Sequence, residues 1–446
     1  MLLIKKVHSH CFLSLIGILY CCAHIFAQSN SNLGNNYQAP QYQIDAWNAE
    51  TDDFSNAILS VIQGKDGYIW VGTFDGFYKF DGTNFTRIDA DKKYEKAFSN
   101  YTFWSILEDS NQNIWLGTNG GGIIFYDAKE RKYKKIIDQR IHNDIVISLF
   151  EDSQGVIWGG TRTHLIKIQN QNVEIIDLEG FPKISVHSFA EDKNGLLWLG
   201  TRRNGLLGVK EGKLIEHYTT ENGLASQQVY ALLYDKNDKL WIGTTKGLFT
   251  LENKQFIPKP LFSIKNNPFP IVHRIFQNKN ENIIWVGTYN GLVRLEGQNQ
   301  SLIPNLPHNR TGSLDKDKEG NIWVGTYSGG LAKLKQTKFL SYTTESGLVN
   351  PVVNSIIEGD NHEVWIGTNE GISLLKNGKF TNFTLEDGLA GSRIRDLFLA
   401  EDKVWIATYG GVSYYQNGKM HAFEANSKLK DVRIRAIYYD KDTKNL

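Results

Sequence analysis

Five residues constrain this chain more than anything else in it. Ile69-Trp70-Val71-Gly72-Thr73 opens a series of nine related segments, whose later tryptophans are Trp115, Trp158, Trp198, Trp241, Trp285, Trp323, Trp365 and Trp405. Successive tryptophans are 45, 43, 40, 43, 44, 38, 42 and 40 residues apart. A period near 42 built from short apolar runs is the mark of a repeat architecture. Nine of the eleven Trp in the chain occupy this one slot, so it is a packing position of the repeat.

One repeat can be laid out from Val229 to Phe256. Val229 to Tyr234 is a strand, Asp235 to Asp238 a polar turn, and Leu240 to Thr244 a second strand. Lys246-Gly247 turns the chain into Leu248 to Leu251. A hairpin at Glu252 to Lys254 then leads to Gln255-Phe256. Dipeptides such as Asp81-Gly82, Asn377-Gly378 and Asn417-Gly418 suit hairpin turns that need positive φ. Four short antiparallel strands per period of about 40 residues predict a β-propeller blade, and no long stretch shows helical periodicity. The Trp should be sandwiched between blades, contributing roughly 4–6 kcal/mol gross. The following Gly should admit a close backbone, and the Thr should turn its hydroxyl to the next turn.

Nine motifs exceed the usual limit of about eight blades in one ring. Ile434 to Asp440 reads as the opening strand of a tenth. The expected fold is therefore all-β, with tandem β-propellers: the first seven-bladed with four-stranded antiparallel blades, the second incomplete. Tyr42 to Trp47 reads as an orphan fourth strand before the first blade, and Phe339 to Tyr342 has the same place before the motif at Trp365. If each ring closes by lending its opening strand to its last blade, the first propeller covers 41–337 and the second 338–446. Leu446 aligns with Leu240, which precedes Trp241, so the chain is expected to be an N-terminal piece of a longer protein.

Residues 1–27 read as a secretory signal peptide, with Lys5 and Lys6 before an apolar run from Cys11 to Phe26 and Ala27 at the cleavage point. The run is short for a membrane span of roughly 20 apolar residues, and the bulky Tyr20 beside Cys21 and Cys22 disfavours a lipoprotein site. Residues 28–40 read as a flexible polar leader. All three Cys lie in the signal segment, so the exported chain uses no disulfide, thiolate metal site or Cys nucleophile. With 49 basic and 48 acidic side chains the formal charge is +1, which gives no electrostatic reason to expect nucleic acid as a partner.

The residues also resemble a known family. Gly223-Leu224 or Gly347-Leu348, a Val-x-Ser-Ile strand, Asp-x-x-Gly-x-Ile-Trp-Val-Gly-Thr and Gly-Gly-Leu together are similar to the two-component regulator propeller repeat. The likeness runs from Tyr42 to the end. It implies two seven-bladed propellers and a small β-sandwich, then a membrane helix and a cytoplasmic signalling module, usually a histidine kinase. It implies a sensor on the periplasmic face of the inner membrane, often of saccharides, and a homodimer in the full-length receptor. The chain departs from that pattern in having no sandwich, second apolar span or kinase. Gly159 and Ala407 also depart from the repeat, and the blade before Trp323 is short.

No catalytic, metal or cofactor site emerges from local spacing. The eight His beyond the signal segment show no HxxH or HxH and read as surface or packing residues. Asp315-x-Asp317-x-Glu319-Gly320 hints at a calcium loop, but Thr326 stands where the twelfth-position Glu is required. That turn recurs at Glu151 to Gly155 and Glu191 to Gly195 and reads as a plain hairpin. The residues just after each Gly-Thr should ring the mouth of a central channel. Arg162, Arg202, Arg203, Tyr289 and Tyr327 are the ligand-binding candidates there, suited to a polar or anionic sugar. The expected role is ligand sensing, the expected partner a small-molecule or oligosaccharide ligand. A secreted propeller lyase or glycosidase, or an interaction scaffold, is the alternative.

Overall fold

The computed structural model describes residues 41–440 and 443, apart from 51–54, 89–101, 137, 142, 170, 265, 279, 338–340 and 360–362. The signal segment, the leader and the first half of the strand expected at Phe339 to Tyr342 lie outside the described residues. The chain divides into two compact units, one of them Gln41–Lys338, the other containing Phe339–Leu446.

The first unit holds seven four-stranded antiparallel sheets, one for each Trp from Trp70 to Trp323. They are numbered here as blades 1 to 7. Their innermost strands neighbour one another in sequence order, and Thr311–Lys316 of blade 7 lies beside Ile58–Gln63 of blade 1, which closes the ring. Blade 7 takes its outer strand from the start of the chain: Tyr42–Trp47 runs antiparallel to Leu331–Gln336, with Tyr42 opposite Gln336 and Trp47 opposite Leu331. Trp47 stacks on Trp323 at 5.6 Å and meets Phe80 of blade 1 at 5.2 Å, so one side chain fastens the first and last blades together.

Each repeat Trp packs into the blade that follows it. Trp70 joins Phe103, Ile106, Ile114 and Leu116 of blade 2. Trp323 joins Ile58, Val61, Val71 and Tyr78 of blade 1. The Gly after it is a steric requirement. A Cβ on Gly72 would stand 2.8 Å from Phe103 O, one on Gly117 2.6 Å from Val146 O, and one on Gly325 2.6 Å from Ile58 Cγ2. The Thr hydroxyl, fully buried, donates to a Gly carbonyl three or four residues on, as from Thr118 to Gly122 O at 2.8 Å and from Thr326 to Gly330 O at 2.8 Å. Thr161 instead donates to Asp144 Oδ2 at 2.6 Å.

The turn between the first two strands does more than reverse the chain. Asp235 Oδ1 accepts from the backbone N–H of Asn237 and Lys239, both at 2.9 Å, and Oδ2 accepts from Trp241 Nε1 at 2.8 Å. Asp109 with Trp115, Asp152 with Trp158, and Asp317 with Trp323 repeat that last bond at 2.8–2.9 Å. The Asp317 carboxylate of the suspected calcium loop is thus engaged by Asn321 and Trp323.

The second unit contains two sheets of the same kind. Val353–Glu358, Val364–Thr368, Ile372–Lys376 and Lys379–Phe383 form one, with Ile394–Ala400, Lys403–Thr408, Gly411–Gln416 and Lys419–Ala422 forming the other. Trp365 packs on Ile394, Leu397, Val404 and Ile406 of the next sheet. Both turns Asn377-Gly378 and Asn417-Gly418 have positive φ at each residue, as the dipeptides require. The strand expected at Ile434 to Asp440 is not formed; the segment has no regular secondary structure apart from a bridge at Asp440. Among the described residues it has no second strand to pair with. Tyr439 is nonetheless buried against Trp405.

Two stability outcomes follow. Asp235→Ala should destabilise the first unit by about 1–3 kcal/mol, because it orphans two backbone donors and the Trp241 N–H. Asp235→Asn, which keeps the turn acceptor, should lose less; urea titration of both variants checks the order. Trp47→Ala should lower the melting temperature of the ring, at a cost below the ~3–5 kcal/mol of a fully buried Trp, since Trp47 is half-buried.

Candidate ligand-binding cavity

Every innermost strand of the first unit starts with the same irregularity. The register slips between its first and third residues, between Val186 and Ser188 in blade 4, Val229 and Ala231 in blade 5, and Val272 and Arg274 in blade 6. The same slip occurs in the other four blades. A bulge leaves one residue unpaired and re-aims its side chain. Here that residue is the second of each strand, and all seven line one cavity of about 260 Å³. Leu59, Trp104, Ile147 and Gly312 make its plainer side. His187, Tyr230 and His273 make its polar side.

The turns after Gly-Thr supply a further row. The N–H of the residue after Thr donates to the carbonyl of the residue before the innermost strand: Arg202 to Ser185 at 3.0 Å, Tyr289 to Ile271 at 3.1 Å and Tyr327 to Arg310 at 3.1 Å. Of the residues so tied, Arg202, Tyr289 and Tyr327 line the cavity wall, together with Arg274 and Arg310. Arg162 and Arg203 do not line it. The polar wall comes from blades 4 to 7, whereas Arg162 is in blade 3. Arg203 is one residue too far along its turn to be tied to the innermost strand.

The aromatic rings form a continuous stack. His273 lies 4.3 Å from the Tyr289 ring and 5.0 Å from the Tyr230 ring, both nearly parallel, and His187 meets Tyr230 edge-on at 5.3 Å. The Arg310 guanidinium sits 3.8 Å from the centre of the Tyr327 ring and 4.2 Å from that of Tyr289, a cation–π clamp that fixes its plane. Arg274 occupies the third strand position, where Ser60, Ser105, Ser148, Ser188 and Ser313 stand in five blades and Ala231 in another. Burial pushes its pKa down from the usual arginine value, yet a guanidinium stays charged in proteins.

His187 and His273 are the residues that spacing missed, because the ring and not local sequence brings them together. Burial is the main force on both. With Arg274 close to each, it holds His187 down to about 4 and His273 to about 3. Both are neutral at pH 7. Neither Nε2 has a protein partner among the described residues, and the same is true of Trp104 Nε1 and Arg310 Nε. The wall carries three guanidiniums and no carboxylate.

The model of the two component regulator propeller matches six segments: 53–75, 97–120, 140–163, 180–203, 223–246 and 305–328. Each ends just beyond a Gly-Thr, and they fall in blades 1 to 5 and 7. The chain carries two component regulator propeller repeats. Among solved structures it is similar to the extracellular domain of a protein described as a hybrid two component system from B. thetaiotaomicron, at 23% identity and a TM-score of 0.76, over 90% of this chain and 57% of that one. The chain thus spans little more than half of that domain. It is also similar to virginiamycin B lyase from Staphylococcus aureus, at 13% identity and a TM-score of 0.52, over 67% of this chain and all of that one. At such identities the likeness is one of fold. No curated protein matches the chain.

The depressed histidines set a pH dependence. Their folded pKa values lie below the ordinary 6.5, so the unfolded chain takes up protons first as the pH falls. The stability that their neutral burial permits is intact above pH 6.5 and is lost as the pH drops from about 6.5 to about 4 for His187 and about 3 for His273. Urea unfolding at pH 7 and pH 4.5 should show a smaller loss in His273→Phe than in the native protein.

Proposed function

We propose that this chain is the ligand-sensing, extracytoplasmic propeller region of a bacterial two-component signalling receptor, and that a small saccharide is sensed in the cavity of the first unit. The observation that carries this reading is the cavity wall: stacked aromatic faces and fixed guanidiniums on a closed ring, with polar atoms left without protein partners. Sugars are bound by that combination of flat apolar surface and directed hydrogen bonds. The repeats and the likeness to an extracellular sensor domain agree with it. At about 260 Å³ the cavity is smaller than most ligand pockets. One sugar unit enters, and any longer oligosaccharide extends beyond the mouth. In the full-length receptor the region is held at the periplasmic face of the inner membrane, as a homodimer, and passes its signal to a kinase or transcription-factor module.

The enzyme alternative is weakened by the same wall. A general base works best with a pKa near the working pH, and histidines held to about 4 and about 3 are too weakly basic for that task at neutrality. The wall also has no carboxylate to act as acid or nucleophile. A sensor needs this inertness, since its occupancy must follow ligand concentration.

Calorimetry of the exported chain against a panel of monosaccharides and short oligosaccharides, with product analysis of the same samples, tests the reading. Binding without new products is expected; new reducing ends or unsaturated products would establish the enzyme. Arg202→Ala should weaken binding at least about tenfold, since a hydrogen bond to a charged group contributes about 1.5–3 kcal/mol. Arg203→Ala, outside the cavity, should leave it unchanged.

A further inference from the structure

Three of the side chains that line the cavity carry positive charge, and they come from three different blades: Arg202 from blade 4, Arg274 from blade 6 and Arg310 from blade 7. No salt bridge to any of them exists among the described residues, although surface lysines and arginines elsewhere pair with carboxylates, as Lys193 does with Asp238. Arg274 is the informative one. Its position faces the next blade, as Ser148 Oγ does in donating to Val186 O at 3.0 Å, and six of the seven blades fill it with Ser or Ala. Placing a guanidinium there leaves it half-buried in the cavity wall with no carboxylate to compensate its charge, a costly arrangement. Packing alone does not call for it.

Arg310 adds a second, independent observation. Its plane is fixed between Tyr289 and Tyr327, so one edge of the fork is presented without further loss of side-chain freedom. Its Nε has no protein partner. The two histidines beside it add no charge and offer unpartnered Nε2 atoms, and Trp104 offers an unpartnered N–H.

We propose that this cavity is an anion site, in which Arg202, Arg274 and Arg310 clamp the carboxylate or sulfate of a small ring-bearing ligand while the Tyr–His stack covers its ring. The inference deepens the saccharide reading above and rests on it for the nature of the ring. The planar forks of Arg274 and Arg310 favour bidentate recognition of a carboxylate or sulfate. A neutral sugar would leave the guanidiniums desolvated and unpaired, so selectivity for the charged ligand arises from the cost of the alternative.

Titration calorimetry of the exported chain with galacturonic acid, N-acetylglucosamine 6-sulfate, galactose, cyclohexanecarboxylate and inorganic sulfate separates the possibilities. The acidic sugars should bind at least about tenfold more tightly than galactose, and their affinity should fall as salt is raised from 50 to 500 mM. Which of the two acidic sugars binds better identifies carboxylate or sulfate as the natural group. Arg274→Ser installs the residue that five sibling blades already carry, so it should fold. It should lose at least about tenfold in affinity for the acids and little for galactose, and Arg310→Gln should do the same. Equal binding of galactose and galacturonic acid, or unchanged acid affinity in Arg274→Ser, would overturn the anion site while leaving saccharide sensing intact. Cyclohexanecarboxylate binding as well as galacturonic acid would keep the anion clamp and remove the saccharide. Binding of none of the five probes would overturn the site itself.

Discussion

One close approach sets the geometry of the first unit. The Gly at the end of each second strand lies against the opening of the next innermost strand, so tightly that a Cβ on Gly117 would reach within 2.6 Å of Val146 O. With that approach repeated around the ring, the seven innermost strands crowd a common axis. Regular alternation is not kept there: the first residue faces the preceding blade, as Ile58 does Gly325, and the third faces the following one, as Ser60 Oγ accepts from Ile106 N–H at 3.0 Å. The bulge relieves the crowding by leaving the second residue unpaired and turning it to the axis. The cavity is thus a by-product of close packing, and its chemistry is decided by one residue per blade plus whatever the adjoining turns bring.

The Trp–Asp bond works on a different scale. It joins the turn of a blade to the ring that the next blade covers, so backbone reversal and inter-blade packing are coupled through one carboxylate. Blades 2, 3, 5 and 7 have it. In blade 1 the Asp position is Gly64, and the Trp70 N–H is buried without a partner; blade 6 has Asn278 there, and Trp285 is left in the same state. An unmade buried bond costs more than a made one contributes. Those two blades rely more heavily on apolar contact, and for blade 1 that contact includes the ring-closing cluster of Trp47, Phe80, Phe85 and Trp323.

Most of the fold was legible because repetition amplifies weak signals. A single Ile-Trp-Val-Gly-Thr says little, but nine copies at one period define the blade, and the odd strand Tyr42–Trp47 points to how the ring closes. The Asp carboxylates were visible as a recurring turn, yet their bond to Trp was not, since six residues of separation carry no evident periodicity in a hairpin. The site was legible only in part. Arg202, Tyr289 and Tyr327 follow Gly-Thr and could be placed on one face by topology. His187, Tyr230, His273 and Arg274 lie inside strands, where a period-two reading assigns faces wrongly once a bulge intervenes. Arg310 precedes its strand and looks like a loop residue until two tyrosines from separate blades are seen to enclose it.

Net charge was also a poor guide to the site. The whole chain is within one unit of neutrality, yet three guanidiniums converge where no carboxylate follows. The balancing carboxylates lie elsewhere; the cavity wall has none. Burial is the larger force on the histidines, and this local field adds to it, because a proton on either would add a fourth or fifth positive charge to the same small volume. Keeping them neutral lets them stack on tyrosine and offer ring nitrogens without opposing the arginines. A wall built in this way is selective by exclusion. Cations are repelled, neutral molecules leave charge uncompensated, and only a ligand that carries its own negative group restores to the arginines what water gave them before the chain folded.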